Sequence, residues 1–121
     1  MTQSEIPPAL REQLARFEQL QQNLQTVLVQ KQQIDLELAE TERAIQELTK
    51  ASNTDTVYKY AGNLLIKVER DAVLKELQEK KELAATRSAV LAKQEARFRE
   101  SLRELQQKID NALKGKQEQS E

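Results

Sequence analysis

The stretch that decides the fold is Val57-Tyr58-Lys59-Tyr60-Ala61-Gly62-Asn63-Leu64-Leu65-Ile66-Lys67-Val68, which is β-like in a chain that otherwise follows helical periodicity. Two segments, Val57 to Tyr60 and Leu64 to Val68, are rich in β-branched, aromatic and aliphatic residues, which suit a half-buried pleated surface. Ala61-Gly62-Asn63 between them contains residues that turns favour, and Gly62 can adopt positive φ without a Cβ clash. The stretch therefore predicts a β-hairpin with a three-residue loop.

This hairpin carries more apolar side chains than one buried face requires. An isolated two-stranded hairpin is marginally stable in water, and its open edges can pair with strands from other chains. We therefore expect assembly through the hairpin, the alternative being a hairpin that packs only on its own helices. The residues expected at subunit contacts are Val57, Tyr58, Tyr60, Gly62, Leu64, Leu65, Ile66 and Val68.

The composition of the 121 residues favours long helices over a compact globular core. Charged residues make up 32% of the chain and aromatic residues 3%, and such a composition with helical periodicity is typical of coiled coils. The chain has no cysteine and no histidine, which excludes thiolate nucleophiles, thiolate metal sites and imidazole bases. We therefore expect a chain that is not an enzyme and has no catalytic residues, no cofactor and no metal site.

The charge and hydropathy of the chain argue against two further classes of partner. The formal net charge of −1 gives no basic footprint for nucleic acid. No run approaches the ~18 apolar residues of a membrane span, and the first residues do not form a secretory signal. The expected location is cytoplasmic, which the missing cysteines fit.

A first long helix is expected to begin at Pro8, where the fixed φ of proline suits the first turn, and to end at residue 50. A heptad counted from Leu10 has apolar residues at nine of its twelve a and d positions. The a positions are Leu10, Phe17, Leu24, Lys31, Leu38 and Ile45, and the d positions are Gln13, Leu20, Val27, Ile34, Thr41 and Leu48.

A second helix is expected over residues 71–114, with Asp71 as its N-cap and Gly115 as its stop, followed by a flexible tail over 115–121. Nine of its twelve heptad positions are apolar as well. The a positions are Leu74, Lys81, Ser88, Glu95, Leu102 and Ile109, and the d positions are Leu77, Ala84, Leu91, Phe98, Leu105 and Ala112.

The two heptads agree when the helices run antiparallel. Placing Leu48 opposite Leu74 sets each a position against a d position as far as Leu10 opposite Ala112. The sequence therefore predicts one mainly α domain over residues 1–121, a long antiparallel two-helix coiled coil joined by one β-hairpin over residues 56–68. Each helical seam would be roughly 58 Å long.

The hairpin residues Val57-Tyr58-Lys59, Gly62 and Leu64-Leu65-Ile66-Lys67, together with Phe17-Glu18-Gln19-Leu20-Gln21-Gln22 in the first helix, resemble the β-type subunit of archaeal prefoldin. This resemblance covers essentially the whole chain. It implies a heterohexamer of two α-type and four β-type subunits, in which the hairpins assemble into an intersubunit β-barrel. It also implies an ATP-independent chaperone that binds unfolded polypeptides at its coiled-coil tips and delivers them to a group II chaperonin.

The antiparallel register brings both ends of the chain together at the tip opposite the hairpin. Under the resemblance, the apolar residues there form the client-binding tip: Ile6, Leu10, Leu14, Phe17, Ile109, Ala112 and Leu113. The alternative is that they simply complete the coiled coil. At the level of function, the alternative to a chaperone is a structural coiled-coil adaptor that oligomerises through its hairpin.

Overall fold

The computed structural model describes residues 6–52 and 54–119, and of residues 116–119 only the backbone. The order of elements is helix α1 over Pro8–Lys50, strand β1 over Val57–Ala61, strand β2 over Leu64–Val68 and helix α2 over Arg70–Gln119. The predicted helix–hairpin–helix order is confirmed. The expectations for Met1 to Glu5 and for the last two residues lie outside the described residues.

Three predicted boundaries are wrong. Helix α2 begins at Arg70, so Asp71 lies within its first turn and does not cap it. Gly115 does not stop α2, which continues to Gln119; a helical glycine costs only about 1 kcal/mol, and its neighbours Lys114 and Lys116 are good helix formers. Ala61 belongs to β1 and pairs with Leu64, so the hairpin loop has two residues instead of three.

The turn between α1 and the hairpin is stabilised by short polar side chains. The backbone N–H of Ser52 donates to Asp55 Oδ2 at 2.7 Å, and the N–H of Asp55 donates to the Ser52 carbonyl at 3.0 Å. The hydroxyls of Ser52 and Thr54 lie 2.9 Å apart. These bonds replace the helical bonds that end at Lys50.

The chain divides into two packing units, which we name the hairpin unit, residues 31–90, and the terminal unit, which joins α1 up to residue 30 with α2 from residue 91. In the hairpin unit, Ser88 Oγ donates to Asp35 Oδ1 at 2.8 Å, and Lys81 Nζ lies 3.9 Å from Glu42 Oε1. Each pair lies within one residue of the predicted antiparallel register. Thr41 and Ala84, at 4% and 3% exposure, are the buried side chains of this seam.

Arg70 ties the start of α2 to the end of α1 within the hairpin unit. Its Nε donates to the Leu48 carbonyl at 2.8 Å and its Nη2 to the Thr49 carbonyl at 3.4 Å. These carbonyls lie in the last turn of α1, where backbone acceptors lack helical partners and a positive charge is favourable. Its Nη1 bonds Asp71 Oδ1 at 2.9 Å, so one half-buried guanidinium joins both helices.

In the terminal unit the seam is mainly apolar, with Gln13 and Glu95 as its polar positions. Leu10, Leu105 and Ile109 are almost fully buried and pack with three half-buried side chains, those of Ile6, Phe17 and Leu20. Each leucine or isoleucine buried in this way contributes roughly 1.5–3 kcal/mol. The heptad on α1 is confirmed throughout, because all its a and d positions are buried or half-buried, whereas on α2 Lys81 and Ala112 are exposed.

Candidate functional site

The hairpin is a two-stranded antiparallel sheet with a tight turn. Its register pairs Val57 with Val68 and Ala61 with Leu64. Among the described residues, only Gly62, at 60°, has positive φ, so Asn63 is not left-handed. Positive φ at the first but not the second loop position is the pattern of a type II′ turn, whose twist matches that of the flanking strands.

Pairing in this register gives the hairpin two chemically different faces, since directly opposed residues share a face. One face, which we name the helix face, contains Val57, Lys59, Ala61, Leu64, Ile66 and Val68. The other, which we name the open face, contains Tyr58, Tyr60, Leu65 and Lys67.

The helix face takes its name from its contact with α2. Lys59 Nζ lies 2.9 Å from Glu76 Oε2, and both side chains are at least half exposed, so the pair contributes little to stability. Val57 and Val68, at the base of the hairpin, are half-buried. Further out on the same face, Leu64 and Ile66 are 66% and 47% exposed.

Around Tyr58, Tyr60 and Leu65 the open face has no covering element in the part of the chain that the structure describes, whereas Lys67 lines a shallow depression with residues of α2. Tyr58 is 59% exposed, Tyr60 78% and Leu65 59%. Two tyrosines and a leucine side by side on a sheet are unusual for a surface in contact with water alone, because exposed apolar clusters mark interaction sites. Each strand also has one unpaired edge in this two-stranded sheet. The arrangement is suited to pairing with further strands and burying this face.

The residues expected at the client-binding tip fall into two groups. Leu10 and Ile109, each 4% exposed, lie inside the coiled coil, and Ile6 and Phe17 are half-buried beside them. Leu14 and Leu113 are 40% and 41% exposed, and Ala112 is exposed as well. The side chains that can contact another molecule without any movement of the helices are therefore Leu14, Ala112 and Leu113. Leu10 and Ile109 instead stabilise the coiled coil.

The terminal unit also has a groove that the sequence did not reveal, which we name the tip groove. It has a volume of about 420 Å³, and its lining side chains are all uncharged: Pro7, Ala9, Leu10, Gln13, Asn111, Ala112 and Gly115. Two residues could have indicated this groove. Ala9 and Gly115 occupy heptad g positions beside the seam, where coiled coils usually have charged residues, and both are small and uncharged. Leu14 and Leu113 do not line this groove.

Two further grooves occur in the terminal unit beyond the tip groove. The middle groove is lined by Arg16, Leu20, Ser101, Glu104, Leu105 and Lys108 and has a volume of about 110 Å³. The third groove is lined by Asn23, Thr26, Val27, Gln94, Arg97 and Phe98 and has a volume of about 450 Å³. All three are lined by residues of both α1 and α2.

Two titratable groups with a shifted pKa lie next to each other on α2. Hydrogen bonds from Arg103 hold the pKa of Glu100 below its ordinary value, and the same contact raises the pKa of Arg103. Both side chains lie on the exposed surface of α2. Within the described ranges no cluster of acidic side chains could hold a metal ion, and no helix there is long and apolar enough to cross a membrane.

Comparison with known proteins gives consistent matches. A family model described as prefoldin subunit matches residues 11–116. The chain is 43% identical over 109 residues to a protein named prefoldin subunit beta from Archaeoglobus fulgidus, covering 90% of this chain and 94% of that one. It is 40% identical to the protein of the same name from Thermococcus onnurineus, with the same coverage.

Two solved structures have the same fold. The crystal structure of the prefoldin beta subunit from Thermococcus strain KS-1 superposes with a TM-score of 0.82 at 38% identity, over 90% of this chain and 96% of that one. The prefoldin beta2 subunit from the same strain gives a TM-score of 0.68 at 22% identity, over 75% of this chain and 97% of that one, and shows the fold alone.

Proposed function

This chain belongs to the prefoldin family as a β-type subunit, and we propose on that basis that it is one subunit of an ATP-independent chaperone that binds unfolded polypeptides and prevents their aggregation. Prefoldin subunits have a chaperone-type role and act in hetero-oligomeric complexes. The proposed complex is a hexamer of two α-type and four β-type subunits. It delivers its clients to a group II chaperonin.

The observation that carries the assembly step is the open face of the hairpin. Tyr58, Tyr60 and Leu65 are all more than half exposed, on a sheet of two strands with free edges. Strands from an α-type subunit or from a further β-type copy would satisfy those edges and remove this apolar area from water. On the other face, Lys59 forms an ion pair with Glu76 of the chain's own helix α2, which leaves the open face for other subunits.

The client-binding step is assigned to the exposed apolar residues of the tip. Leu14 and Leu113 offer a small contact area per subunit, so each contact would be weak and quickly reversible. Several tips on one body would raise the effective concentration of sites for a long unfolded chain. Binding of this kind prevents aggregation by mass action and requires no chemical step.

The assembly step is tested with the variant Tyr58→Ser/Tyr60→Ser. The full-length chain is mixed with an α-type prefoldin subunit, and the mass is measured by light scattering. We expect the unmodified chain to form a hexamer and the variant to remain largely unassembled, because tyrosine is enriched among the few interface residues that dominate binding energy. The control is Leu36→Ser on α1, where the side chain is 61% exposed and outside the hairpin; equal assembly of both variants would contradict the assignment.

The client-binding step is tested by aggregation of a denatured model protein without ATP. We expect the assembled complex to suppress aggregation, and Leu14→Gln/Leu113→Gln to suppress it less while still assembling. The control is Leu36→Gln/Leu83→Gln, which removes two leucines that are more exposed but lie in the hairpin unit. If the assembled complex suppresses no aggregation, the chaperone proposal fails and the structural adaptor, whose tips are inert, takes its place.

A further inference from the structure

We propose that one flank of the terminal unit is a track for an extended polypeptide segment, uncharged at the end nearest the chain termini and acidic near its middle. The inference rests on the proposed chaperone function and names the class of client segment. It concerns the tip, middle and third grooves, and not the exposed leucines Leu14 and Leu113.

The three grooves follow one another along the same flank. Each groove is lined in part by heptad d positions, such as Gln13 and Ala112 in the tip groove and Val27 and Phe98 in the third. Apart from Pro7 and Leu10 at the tip, the other lining residues all occupy g or c positions of the two heptads. A single flank of the coil therefore contains all three. From Pro7 to Val27 it runs about 30 Å, the length of roughly nine extended residues.

The tip groove is suited to a segment's backbone and not to particular side chains. The amides of Gln13 and Asn111 each offer a donor and an acceptor, and neither makes a side-chain hydrogen bond within the described part of the chain. A peptide group has the same donor and acceptor. Because no lining side chain carries a charge, a charged client residue placed there would lose hydration without gaining a partner.

The middle groove adds a preference in charge. Arg16 and Lys108 line it together with a single acid, Glu104, and Arg97 adds a further positive charge in the third groove. None of the three cations has an ion-pair partner among the described residues. An acidic client side chain near the middle of the segment would therefore meet two unpaired cations at close range.

The test uses the full-length chain and three fluorescent nine-residue peptides that differ only in the central residue, which is Glu, Gln or Lys. Binding is measured by fluorescence anisotropy at low salt. We expect the Glu peptide to bind several-fold more tightly than the Gln peptide and the Lys peptide to bind least, the size expected of partly exposed charge pairs. The order should weaken as salt is added.

Two sets of variants locate the track. Arg16→Glu/Lys108→Glu should reverse the order of the three peptides, whereas Arg11→Glu/Lys114→Glu, an equal charge change at exposed positions that line none of these grooves, should preserve it. Gly115→Lys should weaken all three peptides because its side chain enters the tip groove. Gly115→Ala should not, since a Cβ at this position meets no atom within 4 Å.

The outcomes separate this inference from the proposed function. The track is overturned if the three peptides bind equally, or if Arg16→Glu/Lys108→Glu leaves the order of their affinities unchanged. In either case, suppression of aggregation by the assembled complex would still support the chaperone function. Absence of both peptide binding and suppression overturns both. Circular dichroism of each variant establishes that it is folded, and the peptide series on the unmodified chain tests the charge preference independently of any variant.

Discussion

Arg70 should contribute to stability because it bonds the last turn of α1 from the first turn of α2, and Arg70→Ala tests this. The substitution removes the guanidinium that donates to the Leu48 carbonyl at 2.8 Å and the Thr49 carbonyl at 3.4 Å, of which only the first has good length. A hydrogen bond from a charged donor contributes about 1.5–3 kcal/mol, and the favourable charge at the end of α1 about 0.3–1 kcal/mol. Water can reach the freed carbonyls, so we expect a net loss of about 2 kcal/mol.

This loss is measured by thermal unfolding followed by circular dichroism at 222 nm, at one fixed chain concentration because assembly shifts the apparent stability. For a chain of this size 2 kcal/mol corresponds to a fall in Tm of roughly 6–12 °C. Arg70→Lys keeps the charge but not the forked geometry, and should lose about half as much.

The matched control is Arg87→Ala, which removes an exposed arginine of the same helix and should change Tm by less than about 1–2 °C. Arg70→Ala with a Tm equal to that of Arg87→Ala would refute the argument that the guanidinium holds the two helices together at the hairpin end.

Three further substitutions have defined outcomes. Gly62→Ala should destabilise the hairpin by about 1–2 kcal/mol, because φ is +60° there, and should reduce assembly with an α-type subunit as measured by light scattering. Thr41→Val should raise Tm, because the buried hydroxyl of Thr41 donates to the Glu37 carbonyl, which already accepts a hydrogen bond within α1. An unchanged or lower Tm would show that this hydroxyl stabilises the seam. Glu100→Gln should lower Tm at neutral pH only, because Arg103 depresses the pKa of Glu100. The stabilisation by the Glu100 carboxylate is present above the ordinary pKa and disappears as pH falls through the depressed value. Below that value the Tm of the variant and that of the unmodified chain should become equal.

The sequence specified the helical seams because their pattern depends on local periodicity. Leu10, Val27 and Ile109 are buried as their heptad positions predict. Ala112 is the instructive exception, since it occupies a d position but lies exposed among the residues that line the tip groove. Near the end of a coil a small side chain leaves space that its neighbours do not fill, and no periodicity indicates that.

The errors in the hairpin and helix ends have a common origin. Ala61 is acceptable in a turn and in a strand, and only its pairing with Leu64 decides between them. Gly115 is acceptable both after a helix and within one. The role of Arg70 was hidden for a different reason: its acceptors lie 21 and 22 residues earlier in the chain, and only the folded arrangement brings them into reach.

The antiparallel course of the helices also sets an order of closure. The contact of Arg70 with Leu48 closes a loop of 22 residues and that of Ser88 with Asp35 one of 53, whereas Leu10 and Ile109 are separated by nearly the whole chain. Closing the longest loop first costs about 1 kcal/mol more free energy, through lost conformational entropy, than closing the shortest first. Pairing of the two helices should therefore begin beside the hairpin and proceed outward. Amide hydrogens in the terminal unit should then exchange before those near Arg70, and the end that unzips first is the end that exposes Leu10 and Ile109 to passing chains.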